Sequence, residues 1–410
     1  MEAVLDRDNL RQAYRAVRRN RGAAGVDGKS IRETAAHLRR HGPAIVAKLK
    51  AGEYVPSAVR GVRIPKPTGG ERLLGIPTVQ DRVIQQALGQ VPGARLDETF
   101  SAHSYGFRPG RSAHDAVRAA QGYYRAGKSW VVDLDISAFF DEVNHDLLMY
   151  RVGLQERDPR VLRLIGRYLR AGMELEGRYE ARVKGTPQGG PLSPLLANLY
   201  LDPLDKELER RGLSFCRYAD DICIYVGSER SARRVLKSVS RWMEKHLRLK
   251  VNRDKSGTGR PWERQFLGFT LQRDGRIAPA RRSIEHFQAA VRRLWDARQS
   301  LTSAELVGQW QRYLRGWCNY FRLATVRESV IALEGWIRRH MRKCFWLRWH
   351  NRKGRLNALQ RLGAKWYHWR VASSRRGAWR IAASPALPTV LCKRTLARYG
   401  LWTPSTLWAA

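Results

Sequence analysis

Strands interleaved with helices through roughly the first 280 residues, then a helical and strongly basic remainder, predict an α+β core followed by an all-α part. Short runs of alternating β-branched and aromatic residues, such as "SFCRY" and "ICIYV", read as strands. Apolar residues at helical spacing recur between them, most clearly in "ERSARRVLKSVSRWMEKHLRLKV". From about residue 283 onward the pattern stays helical, and no internal repeat or low-complexity segment interrupts it.

Taken in order, "NLRQAYRAVRRN" and "IRETAAHLRRHGPAIVAKLKAG" are expected helices joined by the Gly-rich turn "RGAAGVDG". "VRGVRIPKPTGGERLLGIP" is strand-like on both sides of a Pro-Gly turn, as in a hairpin. "VQDRVIQQALGQV" has helical periodicity. "SWVVDLDISAFFDEV" begins as a buried strand, and "HDLLMYRV" is helical. "GTPQGGPLSPLLANLYLDPLDKELERRG" is a Gly/Pro loop running into a helix. A hairpin through "YADD" and a long amphipathic helix follow, then a further hairpin, "QFLGFTLQRDGRIAP".

The 410 residues suffice for two or three domains, and 43% of them are hydrophobic, enough for a sizeable core. Lys and Arg number 76 against 37 acids, a formal net charge of +39. So large an excess points to a polyanionic partner, nucleic acid or an anionic membrane surface. No apolar run approaches the roughly 18 residues of a spanning helix. "MEAVLDRDNL" carries acids and resembles neither a signal nor a transit peptide. Cys216, Cys223, Cys318, Cys344 and Cys392 form no CxxC pair, so a structural zinc site or disulfide framework is not expected and a reducing cytoplasm fits. After Glu334 there is no acid at all, while Arg and Lys continue among tryptophans. Such a stretch repels itself unless an anion neutralises it. Aromatic and Arg interleaving suits RNA, whose unpaired bases stack on rings and guanidinium planes. Tryptophans spaced like Trp310 and Trp317 are expected in a helical core, with the arginines facing RNA.

Against this background two acidic clusters stand out, "YADD" and "DLDISAFFD", each at the end of an apolar strand. Either alone suits a hairpin turn or a helix N-cap. Together they meet a specific demand: two Mg²⁺ ions about 4 Å apart, held by carboxylates from neighbouring strands, activate an attacking hydroxyl and stabilise a pyrophosphate leaving group. Bound cations also account for uncompensated acids in a basic chain.

"VVDLDISAFFDEVNHDLL", "GTPQGGPLSPLLANLYLDPLD", "CRYADDICIYV", "LKVNRDKSG" and "FLGF" occur in the order and spacing of a reverse transcriptase palm. The chain resembles bacterial group II intron-encoded proteins. Upstream, "AAGVDGKSI", "RIPKPTGGERLLGIPTVQDRVIQQAL" and "HSYGFRPGRSAHDAV" are similar to that family's N-terminal and finger blocks. Downstream, "YLRGWCNYFR", "WIRRHMRKCFWLRWH" and "SSRRGAWRIAASPAL" are similar to its thumb-like maturase and C-terminal regions.

The resemblance implies a right-hand polymerase: an N-terminal helical extension over 1–50, fingers and palm with an antiparallel palm sheet over 51–280, a helical thumb over 281–350 and a basic nucleic-acid-binding region over 351–410. It implies Asp135, Asp220 and Asp221 as catalytic residues, and Asp135, Ile136, Asp220 and Asp221 as holding two Mg²⁺ ions, for which Mn²⁺ substitutes. The family pattern places an aromatic five residues after the first metal-binding Asp, which selects Asp135 over Asp133 because Phe140 then fits. Phe140 would gate against a 2′-hydroxyl, although "FF" also offers Phe139 and periodicity does not choose between them. Lys66 and Arg72 match finger residues that handle the triphosphate, Gln188 and Gly189 lie where nucleotide and primer–template approach, and Lys255 matches a palm lysine that protonates pyrophosphate.

The implied function is an RNA-directed DNA polymerase and maturase that binds its group II intron RNA, assists splicing and copies the intron from a DNA primer with dNTPs. Monomer and dimer both remain open. A terminal His-Asn-His endonuclease module with cysteine pairs is not seen, so second-strand cleavage is not expected. Two other readings are a related reverse transcriptase serving defence or CRISPR spacer acquisition, and an RNA-binding splicing factor without polymerase activity.

Overall fold

The computed structural model describes residues 1–65 and 70–408. The chain divides into two compact units, Met1–Arg260 and Pro261–Ala410. In the first, α1 (Arg7–Asn20) and α2 (Ile31–Ala51) lead to the strands β1 (Val59–Pro65) and β2 (Glu71–Ile76), then to α3 (Val79–Thr99) and α4 (Ala113–Arg125). β3 (Trp130–Leu134), α5 (Phe139–Glu142), α6 (His145–Gln155) and α7 (Pro159–Arg170) follow. Next come β4 (Met173–Leu175), β5 (Arg178–Glu180), α8 (Ser193–Arg210), β6 (Ser214–Tyr218), β7 (Asp221–Val226), α9 (Glu229–Leu247) and β8 (Gly257–Gly259).

Local chemistry fixes many of these boundaries. Asp6 caps α1 by accepting from the amides of Asp8 and Asn9. A capping box between Ser30 and Glu33 opens α2, and Gly52 closes it with φ 71°. β1 and β2 form the expected antiparallel hairpin, in register from Arg60↔Ile76 to Pro65↔Glu71. β1 also pairs in parallel with β4, completing a sheet of order β2-β1-β4-β5. The loop after α2 is anchored by Asp81, which is 1% exposed and accepts from the hydroxyls of Tyr54 (2.8 Å), Thr78 (2.7 Å) and Tyr168 (3.1 Å). Such multiple donation is what a buried carboxylate requires.

The second sheet, of order β6-β7-β3-β8, is antiparallel throughout. Alternation divides its two faces. Val132, Leu134, Ile222 and Ile224 point into the main core with Val235, Val239 and Met243 of α9 and Leu196 and Tyr200 of α8. Asp133, between Val132 and Leu134 on β3, therefore projects from the opposite face.

The second unit opens with the hairpin of β9 (Phe269–Leu271) and β10 (Ile277–Pro279), followed by α10 (Arg281–Leu294), α11 (Ser303–Tyr320), α12 (Glu328–Ile331), α13 (Glu334–Arg348) and α14 (Arg352–Arg361). The division at 260 departs from the boundary expected near 280. The hairpin is bound to the helices after it: the Ile277 carbonyl accepts the amides of Thr325 and Val326 at 2.9 and 3.0 Å, and the Phe269 and Phe321 rings lie 5.0 Å apart. Trp295, Trp310 and Trp346 are fully buried, as expected for most of the tryptophans. Leu359, Leu387, Leu396 and Leu401 join the same core, so residues 351–408 pack with the helices before them.

Some arginines also stack on tryptophans: Arg339, Arg355, Arg315 and Arg327 lie over the rings of Trp379, Trp346, Trp402 and Trp408 at 4.1 to 4.8 Å. Arg339 and Arg342 also donate to the carbonyls of Trp379 and Leu391. With no acid after Glu334, aromatic rings and backbone carbonyls take up guanidiniums that carboxylates would otherwise pair. Among the described residues no helix is long and apolar enough to cross a membrane, and all five cysteines are free thiols.

Candidate active site

The register of the second sheet brings the acids together. β3 pairs with β7 from Trp130↔Val226 to Leu134↔Ile222. One further step along that ladder sets Asp135 across from Asp221, on the face that Asp133 shares and Leu134 does not. The Asp135 amide donates to Ser256 Oγ at 2.9 Å, and its carbonyl accepts from the Asn252 amide at 2.8 Å. Ile136 sits opposite Val251 in an isolated bridge whose hydrogen bonds run from Ser137 to Lys250 and from Asn252 to Asp135. In that pattern the Ile136 peptide groups turn away from residues 250–252.

β6 and β7 close on the pair Tyr218↔Asp221, leaving Ala219 and Asp220 as a two-residue loop. Ala219 has φ 58°, in the left-handed region that a side chain normally avoids. A buried network holds it there. Arg217 and Asp205 are both 0% exposed, and Nε and Nη2 of the arginine donate to the two carboxylate oxygens at 2.8 and 2.6 Å. Nη1 donates to Asn198 Oδ1 at 2.9 Å and to the Ala219 carbonyl at 3.1 Å. Asn198 in turn donates to the Gly106 carbonyl at 2.9 Å. The segment His103–Tyr105 straps β6, since the Arg217 amide donates to the His103 carbonyl and its carbonyl accepts from the Tyr105 amide. Gly106 has to be glycine, because a Cβ there would stand 2.3 Å from the Ala219 nitrogen.

The sequence reading assigned no role to Arg217, Asp205, Asn198 or Gly106. Their signal was an acid within a helix, "LDPLD", and an arginine immediately before the acidic turn, each too common to interpret until the fold joins them.

Electrostatically the site is an anionic island. Loss of surrounding water, then repulsion from Asp135, raises the Asp220 carboxyl above its ordinary range, against the pull of Arg72 and Arg217. Loss of water, then repulsion from Asp220, Asp133 and Asp135, pushes Asp221 up to about 7, although its tip reaches solvent. Lys255 opposes this shift and stands 3.8 Å from Asp135 Oδ2, so it belongs to the acidic cluster itself. Asp133 takes part in these electrostatics beside Asp135. Among the described residues no three His, Cys, Asp or Glu side chains close into a metal cage. The carboxylates share one face as separated donors.

The remaining candidates are placed as follows. Phe139 is 2% exposed in the core, whereas Phe140 is partly buried at its edge, with the two rings 5.1 Å apart. Arg72, on β2, is close enough to act on Asp220 electrostatically. The Gln188 carbonyl accepts from the Gly75 amide at 3.0 Å, which seats the "PQGG" loop on β2. Gly189 has φ 129°, and a Cβ there would approach the Gly75 carbonyl oxygen to 2.9 Å. Lys66 lies outside the described residues.

Replacing Asp205 with Asn should destabilise the first unit by about 3–5 kcal/mol, because it leaves a buried guanidinium short of its counter-charge. Chemical denaturation checks this, and a loss below about 1 kcal/mol would mean that the pair does not hold the turn.

The family described as reverse transcriptase (RNA-dependent DNA polymerase) matches residues 64–271, and the group II intron, maturase-specific domain matches residues 284–363. Protein YkfC of Escherichia coli is 32% identical over 60% of this chain and 75% of its own length. Group II intron-encoded protein LtrA of Lactococcus lactis is 38% identical over 42% of this chain, and the match spans 29% of LtrA. Among solved structures, a partial Cas6-RT-Cas1–Cas2 complex aligns with 28% identity and a TM-score of 0.38, over 59% of this chain and 42% of that one. The chain belongs to the reverse transcriptase family and carries a group II intron maturase-specific domain behind its polymerase fold.

Proposed function

We propose that the protein is an RNA-directed DNA polymerase and maturase of a group II intron. It would bind intron RNA, assist its splicing, and copy it into DNA from a DNA primer at the target during intron mobility. The observation that carries this reading is Asp135 set across from Asp221 at the strand ends, with Asp220 in the adjoining turn, in a chain with both matched domains. Its free thiols and net charge of +39 fit a cytoplasmic ribonucleoprotein.

The donor set fits divalent Mg²⁺. Its oxygens are hard ligands, and Asp220 and Asp221, both raised by loss of water and by neighbouring carboxylates, are short of positive charge. Asp135, Asp220 and Asp221, with the backbone of Ile136, would hold two ions. Once bound, Mg²⁺ activates the primer hydroxyl and neutralises the departing pyrophosphate. Lys255, on the rim beside Asp135, would release that carboxylate to the cation and donate a proton to pyrophosphate. Arg72 would place positive charge over the triphosphate, together with Lys66. Gln188 and Gly189 would line the approach of the nucleotide, where only hydrogen fits at Cα of Gly189. Phe140, partly exposed where Phe139 is buried, would pack beneath the sugar.

Changing both Asp220 and Asp221 to Asn preserves size and turn propensity while removing two charges. DNA synthesis on an RNA template should then fall by orders of magnitude, while RNA affinity holds or rises slightly as repulsion of phosphate is relieved. Protein-assisted splicing should survive, since the RNA performs its own transesterifications. Primer extension and a splicing time course on one preparation check both arms, and retained DNA synthesis would return the acidic turn to an ordinary hairpin. Phe140→Ala should admit ribonucleotides by opening space for a 2′-hydroxyl. Unchanged discrimination between rNTPs and dNTPs would remove Phe140 as the gate.

A further inference from the structure

Helix α9 has two dissimilar sides. Ala232, Val235, Val239 and Met243 are buried beneath the second sheet, on the face opposite the carboxylates. The other side, with residues 251–256, walls a cleft of about 450 Å³. Arg233, Lys237, Arg241 and Arg253 line it against one carboxylate, Glu244. Leu236 and Val251 give it an apolar floor, and the Ser240 and Ser256 hydroxyls on its wall donate to the carbonyls of Leu236 and Asp135. Arg233 is paired with Glu229. Among the described residues Lys237, Arg241 and Arg253 have no ion-pair partner, although Glu244 lies in the same cleft.

A row of cations on a helix is most often a solvated face. Two features set this one apart: the cations line a concave surface with an apolar floor, and four of them share it with one lining carboxylate, Glu244. Arg233, Lys237 and Arg241 follow one another at every fourth residue, roughly 6 Å apart along the axis. That step is comparable with the one between successive phosphates of a nucleic-acid strand. Glu244 narrows the ligand further. A carboxylate only accepts hydrogen bonds, and the one donor on a sugar–phosphate backbone is the 2′-hydroxyl of RNA. A DNA backbone would bring only acceptors to Glu244.

We propose that this cleft seats a stretch of RNA backbone on the α9 side of the palm, beside the loop whose Ser256 hydroxyl holds the Asp135 backbone. Lys237, Arg241 and Arg253 take phosphates, and Glu244 accepts from a 2′-hydroxyl. Such a site presupposes the RNA-binding function proposed above and deepens it: it tethers RNA independently of the strand being copied. A protein can then keep hold of a folded RNA while its carboxylate face works on another segment.

The test uses the full chain and long single-stranded RNA and DNA of one sequence. Lys237→Gln with Arg241→Gln is compared with Arg230→Gln plus Arg234→Gln, an equal charge change on exposed residues of the same helix outside the cleft. The cleft pair should weaken RNA binding and lower its log–log salt slope by about 1.4, for two lost contacts to a single strand. The control pair should leave both unchanged, and Glu244→Ala should weaken RNA more than DNA. Primer extension on a short primer–template should match wild type for every variant, which also reports intact folding. Equal effects of the two pairs, or none from the cleft pair, would overturn the site, as would loss of an acidic protein partner with RNA affinity intact. Wild-type protein that neither binds RNA nor extends primers would instead sink the polymerase reading itself.

Discussion

Arg217 and Asp205 meet where water does not reach, and the geometry of the acidic turn depends on them. A guanidinium shut away from solvent requires its donors to be taken, and here Asp205, Asn198 and the Ala219 carbonyl take them. The Ala219 carbonyl is the informative partner. It belongs to a residue at positive φ, so the pair stabilises a backbone conformation that the residue alone disfavours. Replacing such a pair with apolar residues often costs little stability, so its value here lies in specifying one turn conformation. Asn198 extends the hold to Gly106, and the strap from His103 to Tyr105 closes on β6. A helix, a hairpin and a loop distant in sequence thus converge on two residues between Tyr218 and Asp221.

The same network explains how mutually repelling acids persist. Folding sets Asp135 across from Asp221 on one face, with Asp220 in the adjoining turn, and leaves the other face apolar, packed by α8 and α9. Their repulsion is partly offset by Lys255 and, through Asp220, by Arg72 on the other sheet. What remains uncompensated is a small negative field within a chain of net charge +39, a contrast that attracts cations and leaves polyanions to the surrounding surface. Four cations line the cleft beside α9, while several guanidiniums of the second unit are committed to tryptophan rings and carbonyls. Counting arginines therefore overstates the surface open to nucleic acid in the acid-free region.

Much of the fold was legible because its signals are local. α2 announces itself through Ser30 and Glu33, α9 through its apolar stripe, and the hairpins through alternation broken by turn residues. α3 runs on to Thr99 past Pro92, where the expected helix stopped near Val91, because Leu96 beyond the proline is buried in the core. β4 and β5, three residues each, lay outside the expected elements; β4 pairs with β1, far away in the chain, and β5 pairs with β4 beside it. In the site, the acids could be found from spacing and resemblance together. Arg217, Asp205 and Ser256 could not, since their roles arise from contacts that only the folded chain creates. Phe139 and Phe140 are adjacent and chemically identical, and burial alone separates them.

If Asp135, Asp220 and Asp221 form a divalent-cation site, the cation can be made to report its own position. Fe²⁺ substituted for Mg²⁺ in the presence of ascorbate and peroxide generates hydroxyl radicals that cut the backbone beside the bound ion. Cuts should cluster next to Asp135 and at the turn carrying Asp220 and Asp221, and excess Mg²⁺ should suppress them. Cleavage that misses both segments, or that Mg²⁺ does not compete away, would contradict the account.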